Sequence, residues 1–152
     1  MNVEQIVSLR PPRIAQLLTL AATVIHFTTP LREFVVFSST PLGVTVALSG
    51  LAAMLWAWDL FRRCDTVICP TATATSLVTS GIFHVTRNPM YLGIVSMLLG
   101  LALAVGTLPF YIAAASYFTL IDRIYIPYEE RRLTKIFGAA YRDYRERVRR
   151  WL

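Results

Sequence analysis

The chain has 152 residues, of which 55% are hydrophobic and only 16% are charged, and its formal net charge is +6. This apolar content is high for a soluble domain, and it falls in long blocks, so the composition indicates one integral membrane domain over residues 1–152. A soluble protein with large buried helices is the alternative. Because the positive charges flank the apolar blocks, they favour anionic lipid headgroups as their partner and argue against nucleic acid.

Four apolar runs are predicted to form membrane-spanning helices. They cover residues 14–28, 41–61, 90–106 and 110–121. Each run approaches or reaches the length that a spanning helix needs, except the short fourth one. The predicted fold class is therefore all-α, a polytopic membrane protein with about four transmembrane helices.

The segment from residue 128 to 152 is highly charged and is predicted to form an amphipathic helix on a membrane face, broken in two at Gly138. Its apolar residues recur at three- and four-residue spacing and form one stripe. They are Leu133, Ile136, Phe137, Tyr141, Tyr144 and Val148.

The distribution of basic residues predicts the topology. Fourteen of the fifteen Lys and Arg residues lie at 10–13, 62–87 and 123–150, and only Arg32 lies in the first connector. By the positive-inside rule, four spans with both termini in the cytoplasm satisfy this distribution, in the cell (inner) membrane. The polar loop before the third span and the charged C-terminal helix then share the cytoplasmic side.

That loop, residues 77–91, is the polar passage around which the chain is organised. Gly81 lets the backbone turn. Pro89 suits the first turn of a helix, where its missing N–H would be unpaired anyway, and Asn88 before it can cap that helix. The free N–H groups at the start of such a helix attract anionic groups.

Several kinds of catalytic site are unsupported by the sequence. It contains no Ser-His-Asp arrangement, no phosphate-binding loop motif and no H-E-x-x-H motif. The two cysteines, Cys64 and Cys69, are too few for a disulfide framework and have no nearby pair of His ligands, so no metal site is expected. The remaining polar and charged residues fit the binding of a polar cofactor that carries both a positive and a negative charge.

Four motifs in a fixed order resemble those of a known family. They are Leu-Val-Thr-Ser-Gly-Ile-Phe at 77–83, Arg-Asn-Pro-Met-Tyr-Leu-Gly at 87–93, Glu-Glu-x-x-Leu at 129–133 and Phe-Gly-x-x-Tyr-x-x-Tyr at 137–144. Together they resemble the integral membrane methyltransferases, namely the isoprenylcysteine carboxyl methyltransferases and the phospholipid N-methyltransferases. The resemblance covers about residues 75–150.

The resemblance implies S-adenosylmethionine as the methyl donor and a lipophilic, membrane-borne acceptor. Carried over residue by residue, it implies a cofactor pocket formed by Thr75, Ser76, Leu77, Val78, Phe83, Asn88, Pro89, Met90, Tyr91 and one of Glu129 or Glu130. Glu130 and Arg123 are the candidate catalytic residues, with Arg123 as a ligand of a substrate carboxylate. We expect the loop and the paired glutamates to lie close enough to share one ligand.

The acceptor stays open between a prenylcysteine carboxylate, a lipid amine and a hydrophobic thiol. Two alternatives to methyl transfer also remain. One is a nicotinamide-dependent membrane reductase related to the sterol reductases, which resemble these methyltransferases in their C-terminal half but are much longer. The other is a non-catalytic membrane scaffold.

Overall fold

The computed structural model describes residues 9–63 and 77–152. Within these two ranges the chain is helical, and the one extended pairing is an antiparallel bridge between Val35 and Thr107. The all-α prediction is confirmed. The predictions made for Cys64, Cys69, Thr75 and Ser76 lie outside the described residues.

Six α-helices follow one another along the described chain. They are α1 (Pro11–Thr28), α2 (Thr40–Arg63), α3 (Pro89–Val105), α4 (Leu108–Leu120), α5 (Ile126–Phe137) and α6 (Ala139–Arg147). Proline lies within the first two positions of α1, α3 and α4, where it costs no internal hydrogen bond. The first three apolar runs match α1, α2 and α3 to within a few residues.

The tightest helix pair is α2 with α3, which cross at two facing pairs of glycines. A Cβ atom on Gly43 would lie 2.5 Å from the carbonyl oxygen of Gly100, and one on Gly50 would lie 2.6 Å from that of Gly93. The two glycines on each helix are seven residues apart, which is about two turns, so both fall on one face. Small residues of this kind let two helix backbones approach within contact distance.

The fourth apolar run matches α4, but the helical chain does not break after it. Beyond α4 the chain forms a π-helical turn, Ile121–Tyr125, and enters α5 without a break. The prediction that a separate helix begins near residue 128 is therefore wrong, whereas the end predicted for the apolar run, near Ile121, agrees with the end of α4. Pro127 does not interrupt the helix, because it follows a wide turn in which the Ile126 N–H donates to the Ile121 carbonyl oxygen and the hydrogen-bond register changes.

A sharp break does occur at Gly138, as predicted. Its φ is +55°, and it separates α5 from α6. Tyr141 and Tyr144 on α6 are buried with Val148, so α6 packs back against the loop before α3. The C-terminal charged segment is thus two short helices that fold over the polar loop.

Membrane character is clearest in α2. It is 24 residues long and apolar enough to cross a bilayer, and only 11% of its 18-residue apolar stretch is buried within the protein. α3 is apolar but shorter. Among the described helices, α2 alone meets the length and hydropathy criteria for a span, so the four-span topology stays a prediction.

We expect Gly50→Ala to destabilise the fold, although alanine normally favours a helix over glycine. The added methyl group would meet the backbone oxygen of Gly93 and the Cβ of Ser96 at 2.6 Å, and overpacking of this kind costs about 1–3 kcal/mol. Thermal melting in detergent measures the effect. Ser49→Ala, at an exposed position of the same helix, is the control, and an equal melting temperature for both variants would contradict the assigned glycine contact.

Candidate functional site

The loop before α3 and the paired glutamates of α5 contact each other directly. Arg87 donates from Nη1 to Glu130 Oε1 at 2.8 Å, and the Tyr91 hydroxyl donates to Glu129 Oε1 at 2.7 Å. Residues about forty positions apart in the sequence therefore meet at one end of the helix bundle. That is the arrangement a shared ligand would need.

The start of α3 is built differently from the sequence prediction. Pro89 is the first helical residue, but the Asn88 side chain does not cap the helix. Its Nδ2 donates instead to the carbonyl oxygen of Arg150, at 2.9 Å. The hydroxyl of Thr86 accepts a bond from the Asn88 N–H and donates to the same Arg150 oxygen. Asn88 thus ties the loop to the C-terminal segment instead of capping α3.

Glu130 is neutralised within the protein. Its carboxylate accepts from Arg87 at 2.8 Å and from Arg150 at 3.0 Å, and both the Arg87 and Glu130 side chains are less than 10% exposed. Arg150 also pairs with Asp122 at 3.2 Å. A buried carboxylate with two guanidinium partners is satisfied without a ligand, and removal of one partner would leave an uncompensated charge.

Glu129 has a different environment from its neighbour. It is partly buried, it accepts the Tyr91 hydroxyl bond, and it forms no ion pair with the residues that the structure describes. Burial raises the pKa of its carboxyl from 4.5 to about 7, although the Tyr91 bond and the charge of Arg132 oppose that shift. Glu129 is therefore the member of the pair that can respond to a cationic ligand.

Two further tyrosines lie near Glu129. Tyr117 of α4 and Tyr125 of the π-helical turn are fully buried in the cluster that contains Tyr91, and Tyr117 is close enough to Glu129 to be affected by its charge. The hydroxyl of Tyr125 donates to the carbonyl oxygen of Leu9. In the described part of the chain, the hydroxyl of Tyr117 and the Nε of Arg87 are the buried polar side-chain atoms without a partner.

Four of the residues implied by the resemblance anchor the loop to neighbouring helices instead of facing the glutamates. Val78 and Phe83 are buried against α2, with Met90 packed beside them, and Leu77 packs against Tyr141 and Tyr144 of α6. The Phe83 ring makes an edge contact with Phe61, 5.2 Å between centroids. The structure thus places these side chains in the support of the loop.

Arg123 lies apart from the cluster. Its side chain is 81% exposed, and its partner is Asp122 at 3.5 Å. His84, the titratable residue of the loop, is also exposed. The structure does not bring Arg123 or His84 into contact with either glutamate.

Sequence reasoning missed the residues of the C-terminal segment. Arg150 and Trp151 both bond to Asp122, and Arg150 also reaches Glu130. Arg150 lies among several arginines of similar spacing, so only its contacts distinguish it from them. The tryptophan at 151, a large apolar residue after a run of charges, was the available signal.

The family model of the phospholipid methyltransferases matches residues 38–140. No curated protein and no solved structure matches the chain. The matched range contains α2, α3, α4, α5 and both glutamates, and it ends before the buried tyrosines of α6.

The raised pKa of Glu129 predicts a pH-dependent stability. Between about pH 5 and 7 the folded protein keeps a proton on Glu129 that the unfolded chain has released, so stability is highest near pH 5 and falls as the pH rises to 7. Glu129→Gln removes this titratable group. We expect the free energy of unfolding of the variant to exceed that of the wild type by about 1–3 kcal/mol, with the difference growing between pH 5 and 8. Melting curves of both proteins in detergent measure the difference, and parallel pH profiles would contradict it.

Glu130→Gln is expected to have the opposite effect. It leaves the buried Arg87 guanidinium without a counter-charge, a change that costs about 3–5 kcal/mol at a buried pair. Thermal melting at pH 7 compares it with Asp143→Asn, which removes an exposed carboxylate from α6. Equal stability of the two variants would show that the Arg87–Glu130 pair does not hold the loop.

Proposed function

The chain belongs to the phospholipid methyltransferase family, and on that premise we propose that it transfers a methyl group from S-adenosylmethionine to the amine headgroup of a membrane lipid. Family membership implies a methyltransferase that acts on a lipid-type acceptor. The observation that carries the finer proposal is the contrast between the adjacent glutamates. Glu130 is neutralised by two arginines, whereas Glu129 forms no ion pair within residues 9–63 and 77–152, although the charge of Arg132 acts on it.

The residues present fit S-adenosylmethionine. This cofactor carries an amino group, a sulfonium, hydroxyl groups and a carboxylate. Glu129 offers a partly buried carboxylate, and the buried hydroxyl of Tyr117, in the same core cluster as Tyr91, has no partner within the described chain. A buried polar atom without a partner is costly, so a ligand that supplies one would be stabilised there.

We assign the ligand contacts as follows. Glu129 would hold the amino group or the ribose hydroxyls through charge-assisted hydrogen bonds. The N–H groups at the start of α3, next to Asn88, would hold the carboxylate. The ring of Tyr91 would face the sulfonium, because the ring of Phe83 packs against Phe61. When bound, S-adenosylmethionine supplies an electrophilic methyl group.

Positioning accounts for most of the expected rate enhancement. A methyl transfer needs alignment of the nucleophile and exclusion of water, which together can supply about 7–11 kcal/mol. The fixed pairs Arg87–Glu130 and Tyr91–Glu129 hold α3 and α5 in one relative position. They provide the rigid frame that such alignment requires.

An amine acceptor is favoured over a carboxylate by the charges at the site. A lipid ammonium must lose a proton before it can act as a nucleophile. Because Glu129 is assigned to the cofactor, the lipid amine would have to reach the site already deprotonated. Arg123, the guanidinium that would bind a substrate carboxylate, is exposed and outside the glutamate cluster. The acceptor would enter laterally from the bilayer in a four-span protein with both termini in the cytoplasm.

The test is transfer of labelled methyl groups from S-adenosylmethionine into lipids by the purified protein. We expect label in amine-bearing phospholipids, with little in a prenylcysteine analogue. Label confined to the prenylcysteine analogue would show that the acceptor is a carboxylate and not an amine. Absence of cofactor binding by the folded protein would reject methyl transfer and favour a non-catalytic scaffold, and tight binding of a nicotinamide cofactor instead would favour a reductase.

Glu129→Gln is expected to weaken S-adenosylmethionine binding by about tenfold, as the loss of one charge-assisted hydrogen bond would. Isothermal calorimetry measures the affinity, and the variant should remain folded because it keeps an acceptor for Tyr91. Glu146→Gln, which removes an exposed carboxylate from α6, is the matched control. Equal affinities of the two variants would remove Glu129 from the cofactor site.

A further inference from the structure

The last residues of the chain lie against the candidate site. The N–H of Arg87 donates to the carbonyl oxygen of Arg149 at 3.0 Å. The Thr86 hydroxyl and the Asn88 amide both donate to the carbonyl oxygen of Arg150, at 3.1 and 2.9 Å. Three consecutive residues of the loop thus hydrogen-bond to residues 149–150, and the loop depends on this segment for its shape.

The Arg150 side chain links two other parts of the site. Its Nη2 and Nε donate to the two oxygens of Glu130 at 3.0 and 3.3 Å, and its Nη1 donates to Asp122 at 3.2 Å. A planar guanidinium with several donors suits such a bridge better than an ammonium. Arg150 therefore joins the π-helical turn to α5 while its backbone oxygen holds the loop.

Trp151 fixes the segment at its end. Its indole N–H donates to Asp122 at 3.0 Å, and its ring packs on Phe118 of α4 with the centroids 5.0 Å apart. An exposed, unattached tail would have neither contact. Arg147, by contrast, is exposed, and among the described residues it donates to a carbonyl oxygen of its own helix.

We propose that residues 149–151, which lie beyond the range matched by the family, are a positioning element of the methyltransferase site, with Arg150 as its central residue. Arg150 acts through Glu130 and through the loop at 86–88, and it sets the distance between the start of α3 and Glu129. We expect substitution of Arg150 to change the cofactor affinity. Arg150 contacts Glu130 and the loop, which hold the pocket in shape, but not the groups assigned to the ligand. Only the expected change in cofactor affinity rests on the proposed function, whereas the ordering of the loop by Arg150 does not.

The experiment compares Arg150→Gln, Arg150→Lys and Arg147→Gln in the full chain, purified in detergent. Hydrogen–deuterium exchange of the peptide that covers residues 84–92 reports on the loop without any need for activity. We expect Arg150→Gln to speed exchange of the Arg87 and Asn88 amides by about tenfold or more, because local opening becomes easier. Arg147→Gln should leave their exchange unchanged.

Kinetics supply the readout that a purely structural role would not move. Arg150→Gln should raise the KM for S-adenosylmethionine by about tenfold while kcat changes by less than about threefold. Arg150→Lys should recover part of the affinity, because it restores a positive charge beside Glu130 but not the fork to Asp122. Trp151→Phe keeps the ring on Phe118 and loses the bond to Asp122, so it serves as the test if Arg150→Gln fails to fold, with a KM increase of about threefold.

Exchange and KM for Arg150→Gln that equal those of Arg147→Gln would overturn the proposal. So would faster exchange with an unchanged KM, since the segment would then order the loop without positioning the site. If the wild-type protein bound no S-adenosylmethionine, the proposed function would fail separately. The exchange comparison would in that case still decide whether Arg150 orders the loop.

Discussion

The structure depends on one buried ion network, in which Arg87 and Arg150 share Glu130 and Arg150 also reaches Asp122. Removing charges from water costs several kcal/mol for each ion, and only good geometry repays that cost. The partners come from the loop before α3, the π-helical turn, α5 and the C-terminal segment. Since none of these charges can be buried alone, the four segments must come together as a unit.

This network explains why two adjacent glutamates serve different purposes. Glu130 lies on the side of α5 that meets the arginines, and its charge is used to hold the fold together. Glu129 meets Tyr91 in a mostly apolar environment, where its charged form is disfavoured. Adjacent helical positions differ by about 100° in direction, so one short motif can supply both a structural and a ligand-facing carboxylate.

Much of the fold could be predicted from the sequence, because long apolar runs and prolines mark helices through local effects. Pro89, Gly81 and Gly138 behave as their backbone preferences require. The predictions that failed depend on tertiary contacts. Asn88 turns from its own helix towards Arg150, and the helical chain continues past Ile121. The meeting of the loop with the glutamates was anticipated, but the contribution of Arg150 was not, because contacts over 62 residues leave no local pattern.

The π-helical turn, Ile121–Tyr125, has a consequence for how this region can evolve. It inserts one extra residue into the helix. The side chains of α5 are therefore rotated about the helix axis relative to where an uninterrupted α-helix would place them. Deleting one residue there would restore ordinary winding and swing both carboxylates about 100° around the axis, away from Tyr91 and Arg87. The length of this turn is therefore fixed by the geometry on either side.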